Sequence, residues 1–218
     1  MRSVVPAKDS LTISQLSRYE LQIARGVSLD AYSAFEQILM EVFAHLIGAN
    51  MKLGGIVFFR LTNSGLRQKI LEDLIDAKFG KQYDQYWHGT PKQAGLFGLI
   101  RQLEQRRNEI VHWKAVGLTS KMEFGLVAPN IWSGRKGSSI FIDDVYEFIA
   151  KADCLRHYAG NFNWWTVRRK EDEPLPEKFV PWRDIFSRPP SYPPSQDHPL
   201  FPVWKAPQNR RLSLRPKL

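Results

Sequence analysis

The sequence predicts an all-α protein: a helical bundle of about five helices over residues 1–170, interrupted by a β-hairpin, then an extended, proline-rich, basic arm over residues 171–218. Three observations carry this. Apolar residues recur at helical spacing behind capping residues, in segments that start near Thr12, Asp30, Ser64, Thr90 and Asp144. Of the 14 prolines, 11 lie between Pro174 and Pro216, where they forbid helix interiors and central strands. With 218 residues, 43% hydrophobic and thirteen Phe, the chain can bury the core of one domain plus an appendage.

Thr12-Ile-Ser-Gln15 is a capping-box pattern and opens a helix expected to stop at Gly26. Ser28 or Asp30 caps a second, with Tyr32, Phe35, Leu39, Val42 and Leu46 inward and Gly48 at its end. His45, in this apolar setting without a second ligand at metal spacing, reads as a structural histidine. Gly54–Leu61 is short, β-branched and aromatic, and periodicity leaves it open between a strand and a buried connection. Asn63 or Ser64 opens a third helix, with Leu66, Ile70, Leu74 and Ile75 inward, to Gly80. Tyr83, Tyr86, Trp87 and His88 then form a cluster that plugs the bundle end in preference to stacking bases.

Thr90-Pro-Lys-Gln93 has the residues of a helix start, and the helix it launches carries the chemistry. Leu96, Leu99, Leu103 and Ile110 draw its core stripe, Gly95 and Gly98 permit a close neighbour, and Gly117 is the expected stop. Its polar side holds Arg101, Glu104, Asn108 and His112. Asn108 and His112 project about 40° apart, and Arg107 lies about 140° from His112, within reach of a long guanidinium stem. Met122–Val127 and Ser139–Ile142 read as the two strands of a hairpin with Arg135 and Lys136 near its tip. Asp144 opens a fifth helix with Val145, Phe148, Ala152, Leu155, Ala159 and Phe162 inward. Arg156 and His157 fall off that stripe and read as surface.

Arg107-Asn108-Glu109-Ile110-Val111-His112 resembles the Arg-x4-6-His signature, often Arg-Asn-x-x-x-His, of the HEPN superfamily, small helical-bundle proteins of which many are metal-independent RNA endonucleases. The resemblance implies a homodimer in which two motif helices meet, RNA as the substrate, and no metal or cofactor. It makes His112 the group for acid/base transfer, Arg107 the stabiliser of the anionic transition state, and Asn108 an orienting contact. Arg101 and Glu104, on the same face, are candidates for substrate binding. Attack by a ribose 2′-hydroxyl would leave a 2′,3′-cyclic phosphate and a 5′-hydroxyl. A toxin or defence role, with a protein partner such as an antitoxin, goes with this reading. The alternatives are a non-catalytic HEPN-like module that binds RNA or protein and dimerises, and an assembly protein whose arm clasps another subunit.

The balance of 31 basic and 22 acidic residues gives +9, which suits a polyanionic partner. Five of the basic residues lie in the last 21, where there is no acid, so the preceding chain is only mildly basic. The lone Cys154 excludes an intrachain disulfide framework and reads as a small core residue. No stretch is long enough for a secretory signal or a bilayer span, so a soluble, cytoplasmic protein without a membrane partner is expected. Phe179, Trp182, Phe186, Tyr192, Phe201 and Trp204 are spread through the arm and should anchor it on folded surface. Pro189-Pro-Ser-Tyr192 also fits a WW-domain ligand, a match that chance explains in so proline-rich a segment.

Overall fold

A computed structural model describes residues 13–118, 123–129, 139–168 and 185–201. These form six α-helices: α1 (Ile13–Leu46), α2 (Met51–Arg60), α3 (Ser64–Phe79), α4 (Asp84–Trp87), α5 (Leu96–His112) and α6 (Ile142–Asn163), the last running into a π-helical turn, Trp164–Arg168. Two small antiparallel sheets accompany them, β1 (Gly89–Thr90) with β2 (Gln93–Ala94), and β3 (Lys114–Leu118) with β4 (Glu123–Val127). The all-α class with a β-hairpin is as expected. The chain divides into two compact units, one drawn from Met1–Tyr32 and Leu103–Ala150, the other from Ser33–Gln102 and Lys151–Leu218. The described part of the arm, residues 185–201, lies in the second unit.

In the first unit, Leu21, Ala24, Ser28 and Tyr32 are buried along α1 at spacings of three and four. The expected break at Gly26 does not occur. A single glycine costs a helix only about 1 kcal/mol, and Ser28, expected as a cap, bonds back to the Arg25 carbonyl at 2.7 Å. Leu103 and Ile110 of α5, Leu126 and Val127 of β4, Ile140, and Val145 and Phe148 of α6 are buried in the same unit. The hairpin pairs Lys114 with Val127 through Leu118 with Glu123. Its second strand is the one expected, but its partner precedes it in sequence. Ser139–Ile142 contributes only the bridge between Ile140 and Leu126. Gly117 accordingly sits inside β3, against the Phe124 ring, and α5 stops five residues earlier. The expected tip residues Arg135 and Lys136 lie outside the described residues. Asp144 reaches back to the Phe141 amide at 2.8 Å, the reciprocal half of a capping box, so α6 begins slightly before it.

In the second unit, Phe35, Leu39 and Val42 continue the buried row of α1. The ambiguous Gly54–Leu61 stretch is helical: Asn50 caps α2 by accepting from the Leu53 amide at 2.9 Å, and Gly54 abuts Ala44 so closely that an added Cβ would stand 2.4 Å from the alanine Cβ. Asn63 caps α3 in the same manner. Its inward residues are Gln68, Leu71 and Ile75 rather than Leu66, which is 50% exposed. Gln68 bonds the Phe97 carbonyl at 3.1 Å, so a polar residue occupies the position that a hydrophobic pattern would skip.

Tyr86 and Trp87 are fully buried against Phe162, at centroid distances of 5.6 and 5.0 Å, so they plug the interior and offer no face to a base. Phe186 completes the cluster, 5.2 Å from Tyr86 and 5.5 Å from Phe162. Tyr192 lies beneath the Lys151 ammonium, and Tyr158 donates to the Ser191 carbonyl at 2.8 Å. The arm's anchoring is thus visible at Phe186 and Tyr192. Phe179, Trp182 and Trp204 lie outside the described residues. Cys154 is buried, and burial pushes its thiol up to about 12, as suits a core residue.

Candidate functional site

The start of α5 is not set by Thr90. Thr90 and Gln93 pair across a tight turn at Pro91 and Lys92, and the Thr90 hydroxyl accepts from the Gln93 amide inside that turn, at 3.2 Å. Gly89, at a φ of 89°, and Gly95 bring their backbones together, and a Cβ on either would fall within 2.4 Å of the other's nitrogen. The helix begins directly afterwards, at Leu96. Leu96, Leu99, Leu103 and Ile110 are all buried, as their spacing requires.

Within the first unit α5 carries a polar group that runs from Arg107, beside the core stripe, around to Asn108 and His112 on the far side. Arg107 donates through Nη1 to Asn108 Oδ1 at 3.0 Å, and its Cζ stands 5.5 Å from the centroid of the Tyr32 ring. The Tyr32 hydroxyl reaches Glu104 Oε1 at 3.4 Å. Arg107 Nε is buried with no acceptor among the described residues. The planar guanidinium is therefore oriented by an aromatic face and one amide, which leaves Nη2 for another acceptor. His112 is exposed at the last position of α5, with no hydrogen bond among the described residues. One helical turn separates it from Asn108, which is also exposed.

Arg25, from α1, donates to the Val111 carbonyl. That carbonyl belongs to the last turn of α5, where no helical amide is available, so Arg25 acts as a cap delivered from a distant helix. Neither Arg25 nor Tyr32 stands out in the sequence as a site residue. Tyr32 lay on the core stripe and Arg25 had no signal at all, because its partner is 86 positions away.

Arg101 does not join this group. Its Nη1 pairs with Glu72 of α3 at 2.8 Å. Arg106 pairs with Glu109 along the helix at 3.0 Å. Of the expected substrate-binding residues, then, Glu104 is held to Tyr32 and Arg101 is held to Glu72.

The other histidines are accounted for. His45 Nδ1 and Asn163 Oδ1 are 2.7 Å apart, in keeping with a structural role. His88 pairs with Asp76 at 2.8 Å. Arg156 and His157, expected as plain surface, are half-buried and share Asp153, three and four residues before them. His198, 5% exposed, lines a cavity of about 250 Å³ with Gln93, Arg188, Ser191 and Ser195 in the second unit. Among the described residues no three His, Cys, Asp or Glu side chains gather as metal ligands would. Comparisons with protein-family models, curated proteins and solved structures return no match for this chain.

Proposed function

We propose that this is a HEPN-type protein that cleaves RNA without a metal, as a homodimer, through Arg107, Asn108 and His112. One observation carries the reading: an arginine held by Tyr32 and Asn108 stands on the same helix as an exposed histidine one turn beyond that asparagine. His112 accepts the proton of a ribose 2′-hydroxyl as its oxygen attacks the adjacent phosphorus. The bond to the 5′-oxygen breaks, and that oxygen leaves with a proton from a second acid. Arg107 donates to the phosphate oxygens as negative charge grows on them. The products are a 2′,3′-cyclic phosphate and a 5′-hydroxyl.

One imidazole performs one proton transfer, so the second acid is the same histidine of a second copy. Tyr19, Ile23 and Val27, spaced four apart on α1 in the same unit and 41, 65 and 47% exposed, supply an apolar stripe to the contact between two copies, which has to extend well beyond it to reach the size of a stable interface. A cytoplasmic setting goes with this chemistry. The second reading is a non-catalytic HEPN-like module that binds RNA or a protein partner, and one feature favours it: Arg107 and Asn108 partly satisfy each other, as structural residues do.

The test is incubation of the full chain with structured and single-stranded RNA in EDTA, followed by mapping of the ends. Cyclic phosphates and 5′-hydroxyls are expected, with a loss of about a hundredfold to ten-thousandfold in His112→Ala. Arg107→Lys keeps the charge but loses the planar fork, so cleavage falls while the dimer persists. A requirement for divalent metal, or a His112→Ala protein as fast as the parent, overturns the mechanism. Absence of cleavage on every RNA gives precedence to the binding module.

A further inference from the structure

α2 buries one edge, Gly54 and Phe58, and turns the remainder outward. Leu53, Ile56, Val57 and Phe59 are 55, 51, 47 and 47% exposed, and Ile47 and Leu66 on either side of the helix are exposed as well. At about 100° per residue, Ile56 stands opposite the buried edge, with Lys52 and Arg60 about 40° to either side of it. Both cations are exposed and make no ion pair among the described residues. Arg67 and Lys69, farther on, are paired with Glu36 and Asp73. The chain has no Asp or Glu between Glu41 and Glu72.

We propose that this face of α2 binds the surface of a membrane that carries anionic headgroups. Its size argues against a protein partner. Ten residues at about 1.5 Å rise and about 10 Å width present roughly 150 Å², against about 800 Å² per partner in a stable protein interface. A second copy set antiparallel across α2 would bring Lys52 against Arg60 of the other copy, like charge against like. A bilayer needs no matching surface: the apolar side chains enter the boundary between headgroups and acyl chains, and Lys52 and Arg60 extend to the phosphates. Among the described residues no single helix is long and apolar enough to cross a membrane; only α1 and α2 taken together, bent by 115°, reach that length and composition. An expectation of no membrane partner that rests on the lack of a spanning segment does not extend to contact at the surface.

Burial of the only cysteine makes a selective probe available. Cys154 is enclosed and its thiol is pushed up to about 12, so a cysteine introduced by Ile56→Cys takes an environment-sensitive fluorophore in its place. The labelled full chain is mixed with phosphatidylcholine vesicles, with or without phosphatidylserine. The expected result is a blue shift and flotation with the phosphatidylserine vesicles, weakening as salt rises. Replacing both exposed cations, Lys52→Gln with Arg60→Gln, lowers partitioning about thirtyfold, which is about 1 kcal/mol per cation. No shift and no flotation with either vesicle would overturn the proposal. So would binding indifferent to the two Gln substitutions, or a shift without lipid that tracks a concentration-dependent dimer in sedimentation. The readout does not depend on RNA cleavage, so it stands or falls apart from His112.

Discussion

Arg25 fixes the end of the motif helix without appearing in the motif. With Arg25→Gln the Val111 carbonyl loses a charged donor, and leaving such a group unsatisfied costs about 1–3 kcal/mol. The last turn should fray first, so amide exchange at Val111, His112 and Trp113 should accelerate while that of Leu99 and Leu103 is unchanged. Equal exchange in parent and variant would show that the bond does not hold the helix end. Tyr32 carries a smaller polar load: its hydroxyl is 3.4 Å from Glu104, so Tyr32→Phe should keep the ring beneath Arg107 and cost under about 1 kcal/mol. The shared side of Asn108 and His112 is legible because one helical turn relates them, and Arg107 enters through the Arg-Asn-x-x-x-His spacing rather than through the period. Arg25 and Tyr32 are not legible, because nothing in a one-dimensional pattern relates positions on different helices.

At the level of elements, the buried stripes of α5 and α6 follow the apolar periodicity residue by residue, whereas boundaries and pairings do not follow from it. Thr90 has the residues of an N-cap but serves a turn, since the contact between Gly89 and Gly95 decides where the chain can become helical. Met122–Val127 was recognisable as a strand from its alternation, but alternation does not say which neighbour it pairs with. The α2 helix was unreadable for a physical reason: its apolar residues face both inward and outward, so they show no period. Two substitutions there should have opposite signs. Gly54→Val forces side-chain atoms against Ala44, and such overpacking costs about 1–3 kcal/mol. Gly55→Ala meets nothing nearer than Met40 Sδ at 3.7 Å and should gain up to about 1 kcal/mol in helix propensity. Thermal melts of the pair check this, and a Gly54→Val protein as stable as the parent would refute the close approach of α2 to α1.

Across the whole molecule, stability draws on the arm as well as on the helices. Phe186 is 1% exposed among Tyr86, Phe162 and Trp165. Phe186→Ala should therefore cost about 3–5 kcal/mol, the range for emptying a buried aromatic site, and removal of the chain after Lys170 should lower solubility too. An unchanged melting temperature in either protein would mean that the arm is dispensable. The arm also makes the fold acid-sensitive. His198 is pushed down to about 4, first by burial and then by the Arg188 charge, against the pull of Asp197. Unfolded, it takes up a proton near about 6.5, so between pH 6.5 and 4 the unfolded chain binds more protons than the folded one. Stability should be full above that window, fall as pH drops through it, and lose nothing further from this group below it. His157, lowered mainly by burial, acts in the same direction. A denaturation series from pH 7.5 to 4 should be flatter in His198→Asn, and identical slopes would exclude this residue as the source. The composition of the arm was legible from its prolines, but its docking partners were not, since an extended chain has no period that points toward a surface.

The closure of Gly89 on Gly95 determines which lengths of this chain can change. Pro91 and Lys92 lie outside that contact at an exposed turn, so residues can be inserted between them without disturbing where α5 begins. An insertion from Leu96 to Val111 is different in kind, because each added residue rotates everything beyond it by about 100°: before Asn108 it turns Asn108 and His112 together away from the side set by Leu96 and Leu99, and after Asn108 it turns His112 away from Asn108. Descendants of this chain can lengthen or shorten at the turn, while the interval from Gly95 to His112 has to be inherited at fixed length.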